Sequence, residues 1–496
     1  MVRPARMLII GLSALLVLSA MQIDVSAKKK SSKRKIRRTP RVQVFVMPMV
    51  RQSVPVTVTP AANRSVPVII SSPGLSAMRE EGSVNNATAA QVSSGSTGSG
   101  TGDGDENTKR NWKTVTPRIA GVGPLIISEF RVRGPNGAND EFIELYNNSG
   151  ADHTVAGGGM GYAVAASNGV ARCIVPNGTV IPNRGHYLCV NSVGYSLASY
   201  PAGNGTTATG DATYTTNIPD NAGIAIFNTS VAANFNLANR LDAVGSTSEV
   251  NTLYKEGTGY PALTPFSIDY SFYRDTCGKS GSITTLGVCT ISVPKDTNNN
   301  AADFIFVDTN GTSAGAGQRL GAPGPENLSS PIQRNASFVV DLLDPCVSKN
   351  NPPNRTRDFT SDPANNSTFG TLDLRRTVTN NTGGNVTRLR WRVIDLTTFP
   401  APSGIADLRP RTSTAVVVTV DRAPCGSGTS NVTVQGTTLE QPPSQPNGGG
   451  FNSSMSSGTV TLATPLANGA SLDLRFLLGI QQTGTFKFYV NVEALP

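Results

Sequence analysis

The sequence predicts an all-β protein built from two β-sandwich domains. Short runs of β-branched and aromatic residues recur throughout residues 122–496, and turn-forming residues separate them. Glycine and proline are plentiful, with 50 and 33 of the 496 residues, and they supply the backbone angles that turns require. No stretch combines a sustained 3.6-residue apolar period with helix caps, so the pattern disfavours long amphipathic helices.

The N-terminal residues 1–27 have the pattern of a secretory signal peptide. Arg3 and Arg6 precede the apolar core MLIIGLSALLVLSAM, and the small residues of VSA offer a cleavage site after Ala27. The apolar run is shorter than the roughly 20 residues of a membrane-spanning helix, although an uncleaved anchor is the alternative. These features predict a secreted protein, extracellular or periplasmic, that can associate with the cell surface.

Residues 28–118 are expected to form a mostly disordered arm and linker, with one or two loose strands at most. Residues 28–41 hold nine of the 42 Lys and Arg residues and no acid, so the net charge of +9 belongs to this run. The run is a solvated arm or, as the alternative, a contact with an anionic polymer or membrane surface. It lacks interleaved aromatic residues, so specific nucleic-acid binding is not expected. Residues 93–107 have the composition of a flexible linker.

Residues 122–325 and 332–496 are the two predicted domains, and the segment GAPGPENLSSP separates them. About eight strands are predicted in the first domain, among them PLIISEFRV, EFIELYN, HYLCVNS, AGIAIFN and ADFIFVD. The strands predicted in the second domain are TLDLRRTVTNNTGG, VTRLRWRVIDL, STAVVVTVD, GTVTLAT, SLDLRFLLGI and TFKFYVNVEAL. The last of these alternates cleanly, so Phe486 and Val490 should face one side while Lys487 and Glu493 face the other.

The chain has six cysteines, all after the predicted signal peptide: Cys173, Cys189, Cys277, Cys289, Cys346 and Cys425. Six cysteines allow 15 pairings, and the sequence alone does not decide among them. Local spacing favours disulfides Cys173–Cys189, Cys277–Cys289 and Cys346–Cys425 in an oxidising compartment. There is no CxxC motif, and His153 and His186 are the only histidines, so a zinc site of the usual kind is not expected.

Five segments of the first domain carry a family pattern: LIISEF, NDEFIELYNNSG, IPNRGHYLCV, DNAGIAIFN and LDAVG. Glu129 belongs to the Ser-Glu pair of the first strand, and Asp140, Glu141 and Glu144 lie in and beside the second strand, which is the most specific piece. The pattern resembles that of lamin-tail domains, immunoglobulin-like β-sandwiches found in nuclear lamins and in secreted bacterial proteins. The resemblance implies an immunoglobulin-like fold for the first domain. The second domain looks like a companion β-sandwich of secreted bacterial proteins, to which no activity is attached.

The three carboxylates of NDEFIELYN are the first candidate for chemistry. Along a strand Glu144 points away from the side of Glu141, so the carboxylates do not converge by spacing alone. Glu129 would join Glu144 if their two strands pair. A half-buried carboxylate needs a hydrogen bond or an arginine partner. We therefore expect these residues to dock a strand near the sandwich edge, rather than to bind a metal or to form a catalytic pair.

A second candidate is DTNNNAADF, which places Asp296, Asn298 and Asn300 at positions 1, 3 and 5 of a calcium loop. Where the EF-hand pattern requires glycine at position 6 and glutamate at position 12, this chain has alanine and valine. An Asx-type turn that enters the strand FIFVD is therefore expected. An irregular calcium site that uses Asp303 or Asp308 is the alternative.

VTRLRWRVI places Arg388, Arg390 and Arg392 on one face of a strand, above a tryptophan-centred core on the other. The simplest interpretation is a solvated face. The alternative is a stripe that faces anions or glycans, with Arg375 and Arg376 nearby.

Two common motifs of enzymes are absent. The chain contains no phosphate loop and no dinucleotide fingerprint, and His186 is expected at a turn or strand edge. We therefore predict an exported, non-enzymatic cell-surface or envelope protein that acts as a binding or structural module through its loops. The alternatives are a module that binds a polymer (glycan or extracellular nucleic acid) and a hydrolase with an unrecognised carboxylate site. No cofactor is predicted, and the sequence does not identify the protein or polymer partner.

Overall fold

The computed structural model describes residues 78–84, 123–262, 268–277, 293–309, 319–398, 406–440 and 449–496. The regular structure in these ranges is nearly all β, as the sequence predicted. No helix among them combines the length and the apolar character needed to cross a membrane. The predicted signal peptide, the basic residues 28–41, the linker 93–107 and Cys289 lie outside the described residues.

Strand β1 (Met78–Val84) precedes the first half of the molecule, defined here as residues 123–320. The strands of the first half are β2 (Leu125–Arg131), β3 (Phe142–Asn147), β4 (His153–Thr154), β5 (Gly161–Ala166), β6 (Ala171–Pro176), β7 (Val180–Ile181), β8 (His186–Asn191), β9 (Ala212–Tyr214), β10 (Ile224–Phe227), β11 (Arg240–Val244), β12 (Tyr270–Arg274), β13 (Thr276–Cys277), β14 (Val293–Pro294), β15 (Phe304–Asp308) and β16 (Arg319–Leu320).

The second half comprises residues 332–495. Its strands are β17 (Ile332–Gln333), β18 (Phe338–Leu342), β19 (Arg355–Asp358), β20 (Thr371–Asn380), β21 (Arg388–Leu396), β22 (Asp407–Arg411), β23 (Val416–Val420), β24 (Ser430–Val434), β25 (Thr438–Glu440), β26 (Ser454–Ser456), β27 (Ser471–Gln482) and β28 (Gly484–Leu495). The helices are single turns: α1 (Asn300–Asp303) and the 3-10 helices Leu197–Ser199, Ala232–Asn234, Thr252–Tyr254, Asn335–Ser337 and Pro363–Asn365.

Two sheets of the first half share one hydrophobic core. The larger sheet has the order β16-β15-β12-β2-β3-β8-β9, and the smaller has the order β11-β10-β5-β6. Alternate residues of the strands supply the core, including Ile143 on β3, Val164 on β5 and Phe272 on β12. The disulfide Cys173–Cys189 joins β6 of the smaller sheet to β8 of the larger one, as local spacing suggested.

The second half is built in the same way around Trp391. One sheet has the order β1-β28-β21-β26-β25, with β17 also on β28, and the other has the order β18-β20-β27-β22, with β19 on β20. Trp391 of the first of these sheets meets Phe476 of the other edge-on, with ring centroids 5.3 Å apart. The disulfide Cys346–Cys425, also suggested by spacing, joins the loops after β18 and after β23.

Strand β1 is a strand of the kind that the sequence allowed within residues 28–118. This segment, which lies in the region expected to be mostly disordered, pairs antiparallel with β28 from Met78 opposite Val490 to Val84 opposite Gly484. Strand β28 also pairs with β21 and with β17. The final strand therefore holds together three segments that are far apart in the chain.

The prediction of a strand at GTVTLAT is wrong. Residues 458–464 fold instead into a tight turn, in which Thr461 and Thr464 exchange two backbone hydrogen bonds of 3.2 Å each. Val460 is buried in the core, but Leu462, two residues later, is 76% exposed, so the stretch does not keep one face covered as a strand would. The first half also contains more strands than the eight or so predicted, because several are two-residue pairings within its long loops.

Candidate functional site

Glu129 and Glu144 lie directly opposite each other on the paired strands β2 and β3. The register shifts between Ile127 and Glu129, which is a β-bulge. Ile127 and Phe130 both face the core of the first half. The extra residue at the bulge therefore turns Ser128 and Glu129 to the opposite face, where Glu144 also points.

The linker between the two halves binds these two carboxylates through its backbone. The N–H of Gly324 donates to Glu129 Oε1 at 2.9 Å, and the N–H of Glu326 donates to Glu144 Oε2 at 2.6 Å. Ser128 Oγ donates to Glu144 Oε1 at 2.5 Å, and Asn452 Nδ2 donates to Glu129 Oε2 at 2.8 Å. All four carboxylate oxygens thus accept a hydrogen bond, as a buried carboxylate requires. The predicted position near a sandwich edge is wrong, because the pair is buried between the halves.

The second half contributes two arginines to the same place. Arg390 Nε and Arg392 Nε each donate at 2.8 Å to a different oxygen of Glu493, so one carboxylate bridges both side chains. Arg392 also lies 2.9 Å from Glu326 Oε1, and Arg390 forms an ion pair with the same residue. We call the whole set the buried charge cluster; it consists of Glu129, Glu144, His186, Glu326, Arg390, Arg392 and Glu493.

The arginine stripe is therefore not a solvated face, and that expectation is wrong. Arg390 is 2% exposed and Arg392 is 6% exposed, because the linker and the first half cover this face of β21. Arg388 is half-buried and donates to the carbonyl of Thr387 at 2.7 Å. Residues 375–376 do not extend the stripe, since they lie on β20 in the other sheet.

His186 begins β8 but is buried within the cluster. Its Nε2 lies 3.2 Å from Glu326 Oε2 and 3.7 Å from Glu144 Oε1. Burial, with a further contribution from Arg392, lowers the pKa of His186 to about 3, so the imidazole is neutral at pH 7. His186 therefore lies beside a turn at the start of its strand, as expected, but it is buried against Glu326 of the linker.

The charges in the cluster are unequal in their protonation. Burial raises the pKa of Glu129, and burial together with the charge of Glu129 raises the pKa of Glu144 well above its usual value. Burial acts in the same direction on Glu493, but Arg392 and Arg390 more than offset it and hold the pKa of Glu493 below its usual value. Glu493 is therefore the anion that the two arginines compensate, while Glu144 retains a proton more readily.

A cavity beside the arginines is too small for a substrate. Its volume is about 20 Å³, and its lining includes Tyr200, Arg390, Arg392, Glu440 and Asn452. That volume holds about one water molecule, whereas ligand pockets typically have volumes of about 300–1,000 Å³. Glu144, His186 and Glu326 place potential metal-ligand atoms within 4.8 Å of one another. The carboxylates of Glu144 and Glu326 already bind protein donors, so this group of residues serves to join the two halves.

Asp140 and Glu141 lie apart from the cluster. Asp140 forms an ion pair with Arg131 and accepts from the N–H of Ser196 at 2.9 Å. Glu141 accepts from the N–H of Ile218 at 2.6 Å and from Asn191 Nδ2 at 2.8 Å. Burial raises the pKa of Glu141 to about 7. Each acid of the motif ties the start of β3 to a different loop.

The stretch DTNNNAADF forms a turn into β15. The N–H of Asn298 donates to Asp296 Oδ1 at 3.3 Å, which is the expected Asx-type contact, and Asp303 accepts from the N–H and hydroxyl of Thr297. Asn300 Oδ1 accepts from two backbone N–H groups at about 3 Å, those of Gly245 and Glu256. Of the weak metal candidates Asp296, Asn298, Asn300 and Asp303, Asp296 lies in a group of three converging acids. Its partners there, Asp242 and Glu256, were not singled out by the sequence.

Comparison of the chain with protein-family models, curated proteins and solved structures finds no match. The resemblance to lamin-tail domains therefore rests on the sequence segments given above and stays a prediction.

Proposed function

We propose that this chain is an exported, non-enzymatic surface or envelope protein with a lamin-tail-like domain, and that its two immunoglobulin-like β-sandwiches act as one binding or structural body. The proposal rests on one observation: the residues whose types suggested a catalytic or binding site are already bound within the protein. Glu129, Glu144, Arg390 and Arg392 bind one another or the linker backbone, and the cavity beside them holds about one water.

A hydrolase would need the opposite arrangement. Two carboxylates that cleave a glycoside lie about 5–10 Å apart and flank the bond that is broken. A general acid or base must also reach the proton that it transfers. Glu129 and Glu144 are buried under the linker, where their oxygens are already engaged. Turnover that is lost in Glu144→Gln while the fold is intact would contradict the proposal.

Export is supported by the signal pattern and by the disulfides Cys173–Cys189 and Cys346–Cys425. Such bonds form and persist in oxidising compartments. Mass-spectrometric mapping of protein recovered outside the cytosol should find both bonds. Free thiols at these four positions in that material would count against export to such a compartment.

Recognition is assigned to the loops of the first half, since rigid sheets commonly present binding loops. Residues 155–160 and 228–239 adjoin, with Gly158 bridged to Thr229. They expose the apolar side chains of Met160 and Leu237, at 67% and 66%. A pull-down from envelope material should retain a partner with the natural chain and lose it with Met160→Ser plus Leu237→Ser. Val417→Ser, a similarly exposed position in the second half, is the matched control.

A second candidate function is binding to an anionic polymer through residues 28–41. Their nine Lys and Arg residues favour it, whereas the buried arginines of β21 no longer do. Retention on an anionic polymer should fall steeply with salt concentration and should disappear when residues 28–41 are deleted. The deletion must stop before Met78, because β1 belongs to the sheet of the second half.

A further inference from the structure

Three carboxylates from distant parts of the first half converge in its interior. Asp242 lies on β11, Glu256 follows the 3-10 helix Thr252–Tyr254, and Asp296 precedes α1. One oxygen of each lies within 4.8 Å of the others, and all three residues are buried. Two oxygens that bind the same calcium ion at about 2.3–2.6 Å can be at most about 5 Å apart. The spacing therefore fits three ligands of one ion.

Glu256 supplies an independent sign of a ligand. Its Oε2 is buried and has no hydrogen-bond partner, and the residue is 6% exposed. Its Oε1 faces Arg240 Nη2 at 3.3 Å. Oε2 is therefore the oxygen of Glu256 that remains available to a ligand. A buried carboxylate oxygen without a donor is costly, so such a group calls for a specific explanation.

The local charges leave an anionic excess. Besides these three acids, Asp303 is buried in the same place, and the cations are Arg274 and Arg240. Arg274 Nη2 lies 2.7 Å from Asp242 Oδ2, and its Nη1 lies 3.5 Å from Asp296 Oδ1. With all four acids ionised, two negative charges remain, which is the charge that one divalent cation neutralises.

We propose that Asp242, Glu256 and Asp296 bind one calcium ion. The donors are all carboxylate oxygens, without the histidine or cysteine that zinc prefers. Calcium accepts irregular sets of six to eight oxygens, and waters can complete them, whereas magnesium requires near-ideal octahedral geometry. The ion ties β11 to the loops at Glu256 and Asp296, and so fixes the long insertion between β11 and β15. This site is independent of the proposed surface function.

The buried charge cluster provides a contrast within the same protein. Glu144 and Glu326 also lie in a group with ligand-atom spacing, and their oxygens accept from Ser128, from the linker backbone and from arginines. The oxygens of Asp242 likewise accept from protein donors, so the difference between the two groups is Glu256 Oε2. Among the described residues, no carboxylate oxygen of the buried charge cluster lacks a hydrogen-bond partner. Calcium binding should therefore depend on Glu256 and not on Glu144.

The test uses the purified full chain after treatment with EDTA. Titration with calcium chloride should show one ion per chain, with a dissociation constant of about 10⁻⁴–10⁻³ M, as in extracellular modules. Calcium at roughly 100 times the dissociation constant should raise the Tm by about 5 °C or more.

Glu256→Gln and Asp296→Asn should each abolish the calcium-dependent rise in Tm. Glu144→Gln in the buried charge cluster and Asp341→Asn at an exposed position of β18 should both preserve it. If Glu256→Gln does not fold, Asp296→Asn and the titration of the natural chain still decide the matter. The proposal is overturned if the natural chain shows neither heat nor a Tm change up to 10 times the upper expected dissociation constant. It is also overturned if the Glu256 or Asp296 variant responds like the natural chain.

Discussion

Replacement of Arg392 by leucine should strongly destabilise the protein. The guanidinium donates to Glu493 Oε1 at 2.8 Å and to Asn452 Oδ1 at 2.5 Å, and it lies 2.9 Å from Glu326 Oε1. Leucine would leave two carboxylates with Arg390 as their remaining arginine. Removal of one partner of a buried ion pair costs about 3–5 kcal/mol, because the other charge stays buried without compensation. We expect the free energy of unfolding at pH 7 to fall by that amount.

Urea denaturation monitored by tryptophan fluorescence measures this loss, since Trp391 is the neighbouring core residue of β21. Arg388→Leu on the same strand is the control, and its half-buried side chain should cost about 0.5 kcal/mol or less. The difference between the natural chain and Arg392→Leu should shrink as the pH falls below about 4.5. Because the pKa of Glu493 is lowered in the folded state, its ionised side chain stabilises the fold at pH values above its unfolded pKa. This stabilisation is lost as the pH falls through the folded pKa and the side chain is protonated. A loss below about 1 kcal/mol at pH 7, or equal losses for both variants, would refute the role given to the cluster.

Three further predictions concern stability. Since the pKa of Glu141 is raised to about 7, the folded state keeps a proton that the unfolded state releases near pH 4.5, and the unfolding free energy falls as the pH rises between these values. Glu141→Gln should lessen the fall between pH 4.5 and 8 by up to about 3 kcal/mol. A pH dependence of the unfolding free energy identical to that of the natural chain would contradict this. Trp391→Ala should cost about 3–5 kcal/mol in urea denaturation because the side chain is fully buried, and a cost near 1 kcal/mol would show that the core collapses around the gap. Loss of the Cys346–Cys425 bond, which spans 79 residues, should cost about 4 kcal/mol against about 3 kcal/mol for the 16-residue bond of the first half; thermal melts of the double serine variants compare them, and the reverse order would reject the chain-entropy estimate.

The sequence was informative where alternation and local turns decide the structure. The strands at 125–131, 142–147 and 304–308 follow from apolar runs between turn residues, and the pairing of Glu129 with Glu144 follows once β2 and β3 are neighbours. The Asx contact at Asp296 is equally local. Such features depend on residues only a few positions apart.

What covers a strand face was not predictable in the same way. Alternation places Arg390 and Arg392 on one side of β21, but the same spacing suits a solvated face and a face buried under carboxylates. The linker covers this face, with the backbone N–H groups of Gly324 and Glu326 bound to the two glutamates. Every residue except proline has a backbone N–H, so the sequence does not indicate which of these groups will bind a carboxylate. The proximity of Asp242 and Glu256 to Asp296 was not predictable either, because it depends on the path of the whole insertion.

The place of β28 in the sheet also determines when the protein can fold during synthesis. Residues 484–495 are the pairing partners of β1, β17 and β21, which are all made earlier. Until residue 495 has been added, the backbone groups of those three segments that pair with β28 have no partner. The core around Trp391 also lacks the side chains that β28 contributes. A chain that leaves the ribosome N-terminus first therefore presents open sheet edges until β28 has been made. That interval is when we expect chaperones to bind it and premature pairing between copies to be most harmful.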